Sequence, residues 1–400
     1  MGAAFIYDAI RTPRGKARAD GGLHDLTPHE LLRCLYHSLE QRTWLNPALV
    51  GEVILGCVSQ YGEQAGNIAK TSTLYAGWPS TVGGLTVNRF CSSGIDAISI
   101  AALKIGAGQE QAIVAGGVEM MSRVPMLADK AAVFVDPAFA ARCRMLMMGS
   151  GADLIASLYG VSREEADAIA LQSQQRAERA RREGYFTSIV PVINPVKGIT
   201  VSEDECIRAS TSLESLAALP AAFAALGAGG VDALQLAGHP GLTAVSHVHT
   251  AGNSPAMADA AALVLLGDEA LGQQLGIRPR ARIVAAATAS DDPLQVLSGC
   301  VAATRKLLDR QGLTAEDVDL FELHEAFAAT VVKCRRDLDI PDDKLNVNGG
   351  VIALGHPMGA TGAIMAGTLL DELQRRGKRR GIVAASGAAG AGSALLLELA

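Results

Sequence analysis

One half of this chain repeats the plan of the other, and that repetition constrains its fold more than any other feature. In the first half an apolar strand at 85–87 leads through Asn88-Arg-Phe-Cys91-Ser-Ser-Gly into a helix of small residues ending near Gly106, and a strand follows at 111–116. In the second half a strand near 345–347 leads to a glycine-rich loop around His356, a helix over roughly 359–376 and a strand at 381–386. Strands and helices alternating at this spacing predict two doubly wound α/β halves whose loops face one another. Composition agrees, since 400 residues with 49% apolar side chains, 43 glycines and few aromatics suit compact layers packed through small side chains.

The chemistry-bearing residues fall at the turns of this plan. Cys91 stands where a strand hands over to a helix, and free amides and the positive end of a helix dipole favour thiolate there and can cradle an oxyanion. Alone, the motif leaves an activated nucleophile and a buried inert cysteine equally open. His356, between Gly355 and Pro357, is held on a turn at the mouth of a helix and supplies the base a cysteine needs; the competing role is a helix cap. A third junction, Phe321-Glu-Leu-His324-Glu-Ala-Phe, follows a strand at 318–320 and opens another helix.

With these segments the chain resembles the thiolases, which cleave 3-ketoacyl-CoA with CoA or condense two acyl-CoA units. The resemblance runs end to end through Arg11-Thr-Pro13, Cys91 in its Ser-Ser-Gly setting, Gly116-Gly-Val-Glu-Met-Met-Ser122, Thr250-Ala-Gly-Asn253, His324-Glu-Ala-Phe327, Gly355-His-Pro-Met-Gly359 and the glycine-rich hairpin at 387–392. It implies a duplicated α-β-α-β-α core with two five-stranded mixed sheets and an inserted loop domain. The expected division is 1–118 with 250–270 as the nucleophile half, 119–249 as the insertion that holds CoA and acyl groups, and 271–400 as the histidine half. It also implies ping-pong covalent catalysis, with Cys91 as nucleophile, His356 as base, and His324, or a water it holds, at an oxyanion. Backbone amides of Cys91 and Ala388 would serve the tetrahedral intermediate. Expected substrate or CoA contacts are Met148, Arg208, Ser215, Ala222, Phe223, Ala251, Ser254, Ala326 and Phe327.

Departures from the family pattern matter as much. Position 324 is His where many thiolases have Asn, as in the branch similar to the β-subunit of the fatty-acid oxidation trifunctional enzyme, which leans toward degradation. The family's second catalytic cysteine is replaced by Ser386, an alcohol far less acidic than a thiol of pKa about 8.5 and so a poor proton donor to carbon. Pro255 stands where a CoA-contacting serine is usual, with Ser254 one place earlier. The expected function is 3-ketoacyl-CoA thiolase. The alternatives are a condensing or hydrolytic relative that acylates Cys91 without efficient carbon–carbon chemistry, and a noncatalytic acyl-CoA-binding homologue.

Other readings bound the answer. A net charge of −6 opposes nonspecific nucleic-acid binding, and the basic run at 375–380 reads as a helix C-terminus. Arg176, Arg179, Arg181 and Arg182, on a helical pattern over about 163–183, are weaker candidates for CoA phosphates. The methionines at 120, 121, 126, 145, 147 and 148 read as core ahead of an adaptable acyl lining. His247 and His249 read as satisfied polar packing, not metal ligands. No metal or redox cofactor is expected, with coenzyme A a substrate. Seven cysteines without a C-x-x-C pair fit a reducing compartment. No apolar run is long enough to span a membrane and no signal or transit pattern is visible, so a cytoplasmic protein is expected, by resemblance a homodimer or homotetramer.

Overall fold

The computed structural model describes residues 2–400. Nine strands run side by side in its main sheet: β1 (Ala4–Arg11), β2 (Glu52–Gly56), β3 (Gly83–Val87), β4 (Ala112–Met120), β5 (Ala258–Gly267), β6 (Ala281–Ser290), β7 (Leu320–Leu323), β8 (Arg380–Ser386) and β9 (Ala391–Leu399), and a tenth, two-residue strand (Gly15–Lys16) pairs with the start of β5. The principal helices are α1 (Pro28–Thr43), α2 (Ser93–Gly106), α3 (Met148–Tyr159), α4 (Arg163–Arg182), α5 (Asp232–Gly238), α6 (Gly299–Gln311), α7 (Ala328–Leu338) and α8 (Met358–Arg376).

The strand order is β7-β8-β9-β6-β1-β5-β4-β2-β3, five strands from the first half and four from the second. The halves join where Ala4–Ile6 pairs antiparallel with Ala281–Ile283. Period-two alternation sorts side chains to either side: Val53 and Leu55 join the outer core under α1, while Ile54 points to the centre. In β8, Val383 and Ala385 face the centre, and Ile382 and Ala384 face α6 and α7. Ile95 and Ile98 of α2 share that central core with Ala363, Ile364 and Leu370 of α8. Two helices are thus sandwiched between sheet halves, each of which is covered on its outer face.

The expected second-half strand at 345–347 does not form. Leu345 makes only an isolated parallel bridge to Phe321. Asn346 then turns into left-handed backbone (φ 45°), and its side chain replaces the ladder: Oδ1 accepts from Leu323 N at 2.8 Å and Nδ2 donates to Leu323 O at 2.9 Å. The second half therefore has four strands instead of five. The expected strand at 318–320 likewise lies slightly later, as β7.

Between β4 and β5 the chain leaves the sheet for α3, α4, α5, shorter helices and a two-stranded hairpin (Val192–Asn194 with Ile199–Val201). A buried ion triad pins this excursion to the first half. Asp204 takes both terminal nitrogens of Arg11 at 2.7 and 2.9 Å, and the amide and Nη1 of Arg14 at 2.8 and 3.1 Å.

Candidate active site

Cys91 lies on a strained turn just ahead of α2. Phe90 adopts left-handed backbone (φ 51°), which only a well-braced turn sustains in an aromatic residue. The bracing is visible: Phe90 N donates to Asn88 Oδ1 at 2.8 Å, Arg89 N to Ser93 Oγ at 2.8 Å, and Ser92 Oγ to Ala385 O of β8 at 2.8 Å. That last bond ties the cysteine turn to the second half.

His356 arrives from the opposite side, at the entrance to α8. Its Nε2 lies 3.1 Å from Cys91 Sγ, and its Nδ1 lies 2.8 Å from Thr361 Oγ1. With Nδ1–H donating to Thr361, Nε2 is free to accept the thiol proton. Thr361, fully buried one turn along α8, has no signal of its own in the sequence beyond membership of the glycine-rich loop.

Glu119, at the end of β4, anchors the start of α8. Its carboxylate accepts from Val58 N, Ser59 N and Gly359 N, each at 3.0 Å, and from Gln64 Nε2 at 2.8 Å.

The electrostatics correct one expectation. Cys91 keeps some exposed surface, but the protein packed around it pushes its thiol up to about 12, with the Glu119 charge adding to the rise and the residue's own amide only partly offsetting it. The resting sulfur is a thiol, because the helix-terminal effect is outweighed by desolvation. Burial, then His324, then Arg14 hold His356 well below the usual histidine range, so the facing imidazole is neutral. A neutral acid–base pair results.

His324 follows β7 and completes the cluster, its ring centroid 4.5 Å from that of His356. Burial lowers its pKa to about 4, with the Ser386 main chain only partly offsetting the fall, and neither buried ring nitrogen makes a well-formed hydrogen bond among the described residues. An imidazole with two unused nitrogens beside a nucleophile is placed to bind an oxygen or a water.

These three residues share one cavity of about 330 Å³, whose other walls are Met121, Met126, Met147, Met148, Gly149, Phe223, Leu226, Ser254, Pro255, Met257, Leu297, Ala326, Phe327 and Met358. Of the clustered methionines read as core, Met121, Met126, Met147 and Met148 line the cavity, and Met120 and Met145 remain buried core. The extra space above Gly149 is filled by the Phe223 ring, which also meets Phe327 edge-on at 5.8 Å.

Ser254, Pro255 and Met257 also form the rim of an outer cleft of about 500 Å³ containing Lys16, Arg18, Arg208 and Ala251. The sequence points to Arg208, Ala251 and Ser254 as binding residues but not to Lys16 and Arg18, because nothing in Gly15-Lys-Ala-Arg distinguishes a cleft from a surface loop. Ser215 and Ala222 are exposed and line neither space; the Ser215 hydroxyl caps a short helix at Ser212. The α4 arginines are engaged elsewhere: Arg176 with Leu345 O and Asp342, Arg179 with Val347 O, and Arg181 with Glu178 and Glu203. His247 and His249 are both hydrogen-bonded to Asp153, at 2.9 and 2.6 Å. Among the described residues, no cluster of His, Cys, Asp and Glu is arranged to hold a metal ion, and no helix is long and apolar enough to cross a membrane.

Ser386 departs furthest from its expected place. It is buried, but its hydroxyl donates to Leu297 O at 2.7 Å and accepts from Cys300 N at 2.9 Å. Cys300 N is one of the free amides at the start of α6, whose own N-cap, Ser298, makes no side-chain cap. Ser386 is thus a remote cap for α6, and its proton is not directed at Cys91. The amides of Cys91 and Ala388, by contrast, make no main-chain hydrogen bond outside the regular elements among the described residues.

A duplicated α/β scaffold that presents a thiol to an imidazole across its two halves, under an apolar cavity, defines a cysteine–histidine enzyme. Residues 4–238 match the thiolase N-terminal domain and residues 277–399 the thiolase C-terminal domain. The 3-oxoadipyl-CoA/3-oxo-5,6-dehydrosuberyl-CoA thiolase of Escherichia coli K12 is 39% identical over 421 residues, and the 3-ketoacyl-CoA thiolase of Shewanella baltica OS155 is 39% identical over 408, each match covering 100% of both chains. The crystal structure of the Bacillus anthracis acetyl-CoA acetyltransferase aligns with a TM-score of 0.88 at 36% identity, covering 100% of this chain and 99% of that one. The chain belongs to the thiolase family and is an acyl-CoA acyltransferase.

Proposed function

We propose that this protein is a 3-ketoacyl-CoA thiolase working through an acyl-Cys91 intermediate. The observation that carries the reading is the 3.1 Å approach of His356 Nε2 to Cys91 Sγ at the floor of an apolar cavity. The cleft beyond the rim supports it, because Lys16, Arg18 and Arg208 are exposed cations without a carboxylate ion-pair partner among the described residues and suit the phosphates of CoA.

In the first half-reaction His356 takes the Cys91 proton as sulfur attacks the 3-keto carbon. The resulting oxyanion is received by the amides of Cys91 and Ala388. Collapse breaks the bond between carbons 2 and 3, and His324 supports the enolate oxygen of the departing acetyl-CoA. The proton held by the His356 imidazolium then goes to the enolate carbon, since the Ser386 hydroxyl is committed to α6. In the second half-reaction CoA gives its thiol proton to His356 and attacks the acyl carbon, and the released Cys91 sulfur regains that proton. Coenzyme A is a substrate and no resident cofactor enters. We place the protein in the cytoplasm as a homodimer or homotetramer.

The test is CoA-dependent cleavage of acetoacetyl-CoA and a medium-chain 3-ketoacyl-CoA, with mass spectrometry of the Cys91 peptide after exposure to substrate without CoA. Thiolysis with an acyl adduct on Cys91, both abolished in Cys91→Ala, supports the reading. The committed Ser386 hydroxyl favours one second reading, acyl transfer or thioester hydrolysis without carbon–carbon cleavage. An acyl-Cys91 adduct from simple acyl-CoA with no thiolysis would establish it.

A further inference from the structure

On the thiolase reading above, we propose that the acyl chain this site accepts is uncharged along its whole length, and that 3-ketoacyl-CoAs ending in a carboxylate are rejected. Six of the chain's ten methionines line the cavity around Cys91, joined by Phe223, Leu226, Leu297 and Phe327. No lining side chain carries charge near neutral pH: burial holds His324 at about 4 and His356 well below its ordinary value, and Ser254 gives its hydroxyl proton to Thr250 O at 2.6 Å.

A substrate carboxylate carried into this space would lose its water and meet no cation. An unpaired buried charge is among the costliest things a protein can enclose, whereas thioether and aromatic surface suits methylene and methyl groups. The cations nearby are unavailable. Lys16, Arg18 and Arg208 lie in the outer cleft beyond the Ser254–Met257 rim, where the phosphates of the same substrate would run. Arg11 and Arg14 are buried and bound to Asp204. The 39%-identical Escherichia coli relative is named for 3-oxoadipyl-CoA, a substrate with a terminal carboxylate, so overall similarity and cavity chemistry point to different substrates here.

The deciding experiment compares kcat/KM for thiolysis of 3-oxohexanoyl-CoA and 3-oxoadipyl-CoA by the unmodified protein. Both acyl chains have the same number of carbons and differ only in the terminal carboxylate. A preference of at least about 100-fold for 3-oxohexanoyl-CoA is expected from a carboxylate left unpaired in an apolar site. Equal or reversed preference overturns the proposal while leaving the thiolase reading intact. Cleavage of neither substrate, with acetoacetyl-CoA also untouched, overturns the thiolase reading and the proposal with it.

Discussion

Replacing Ser386 with alanine separates a helix cap from a catalytic acid. The substitution removes one oxygen that serves two backbone groups, Leu297 O and Cys300 N, in a place where Ser386 itself is only 1% exposed. Losing the cap on a first-turn amide costs about 1 kcal/mol, and leaving a dry carbonyl without its donor costs about 1–3 kcal/mol. Ser386→Ala should therefore lose about 2–4 kcal/mol of stability, read as a lower urea midpoint at unchanged slope. Its kcat for thiolysis, measured well below the unfolding range, should fall by less than about tenfold, because no reacting atom is touched. An unchanged urea midpoint combined with a hundredfold loss of kcat would refute the capping role and return the serine to the chemistry.

Three further outcomes are expected. His324 is neutral in the fold with its pKa lowered to about 4, so the unfolded chain takes up its proton first as pH falls below about 6.5; the stability this neutral imidazole contributes is lost from there down to about 4. His324→Asn should thus lose about 3 kcal/mol less than the parent between pH 7.5 and 4, seen in paired urea titrations, and identical pH dependence would contradict the assignment. Asp204→Asn leaves Arg11 and Arg14 buried without their counter-charge and should cost about 3–5 kcal/mol in the same assay. Thr361→Val removes the acceptor that fixes the His356 tautomer, so kcat should drop by about 10–100-fold with KM nearly unchanged, while wild-type kinetics would show the ring orients itself without it.

What could be read in the sequence was what local chemistry marks. Cys91, His356 and His324 sit at strand-to-helix junctions with unmistakable glycine and proline punctuation, and the ends of α2, α4 and α8 fall within a residue or two of the hydrophobic pattern. The missing fifth strand was not legible, because Leu345-Asn-Val has strand-like composition and only the docked Asn346 amide reveals that a side chain has taken over the backbone pairing. The partners of the Ser386 hydroxyl were illegible for a similar reason. The sequence put it at the family's catalytic position, but a hydroxyl points wherever its partners are, and these lie in α6. The methionines defeated pattern reading because residues from Met121 to Met358 converge on one cavity from elements far apart in the chain.

At three glycines the seam between the halves is backbone against backbone. A Cβ at Gly117 would lie 2.2 Å from Gly359 O, one at Gly94 2.7 Å from Ala363 N, and one at Gly362 2.6 Å from Ile95 N. At these three points the separation of Cys91 from His356 is gauged by main chain against main chain, where even a single added methyl would push the halves apart. Such a gauge cannot drift by small steps, whereas the side chains that line the cavity can change size without moving it. Substrate range and reaction are consequently written in separable parts of this chain: one in the side chains around the cavity, the other in the close main-chain fit of its two halves.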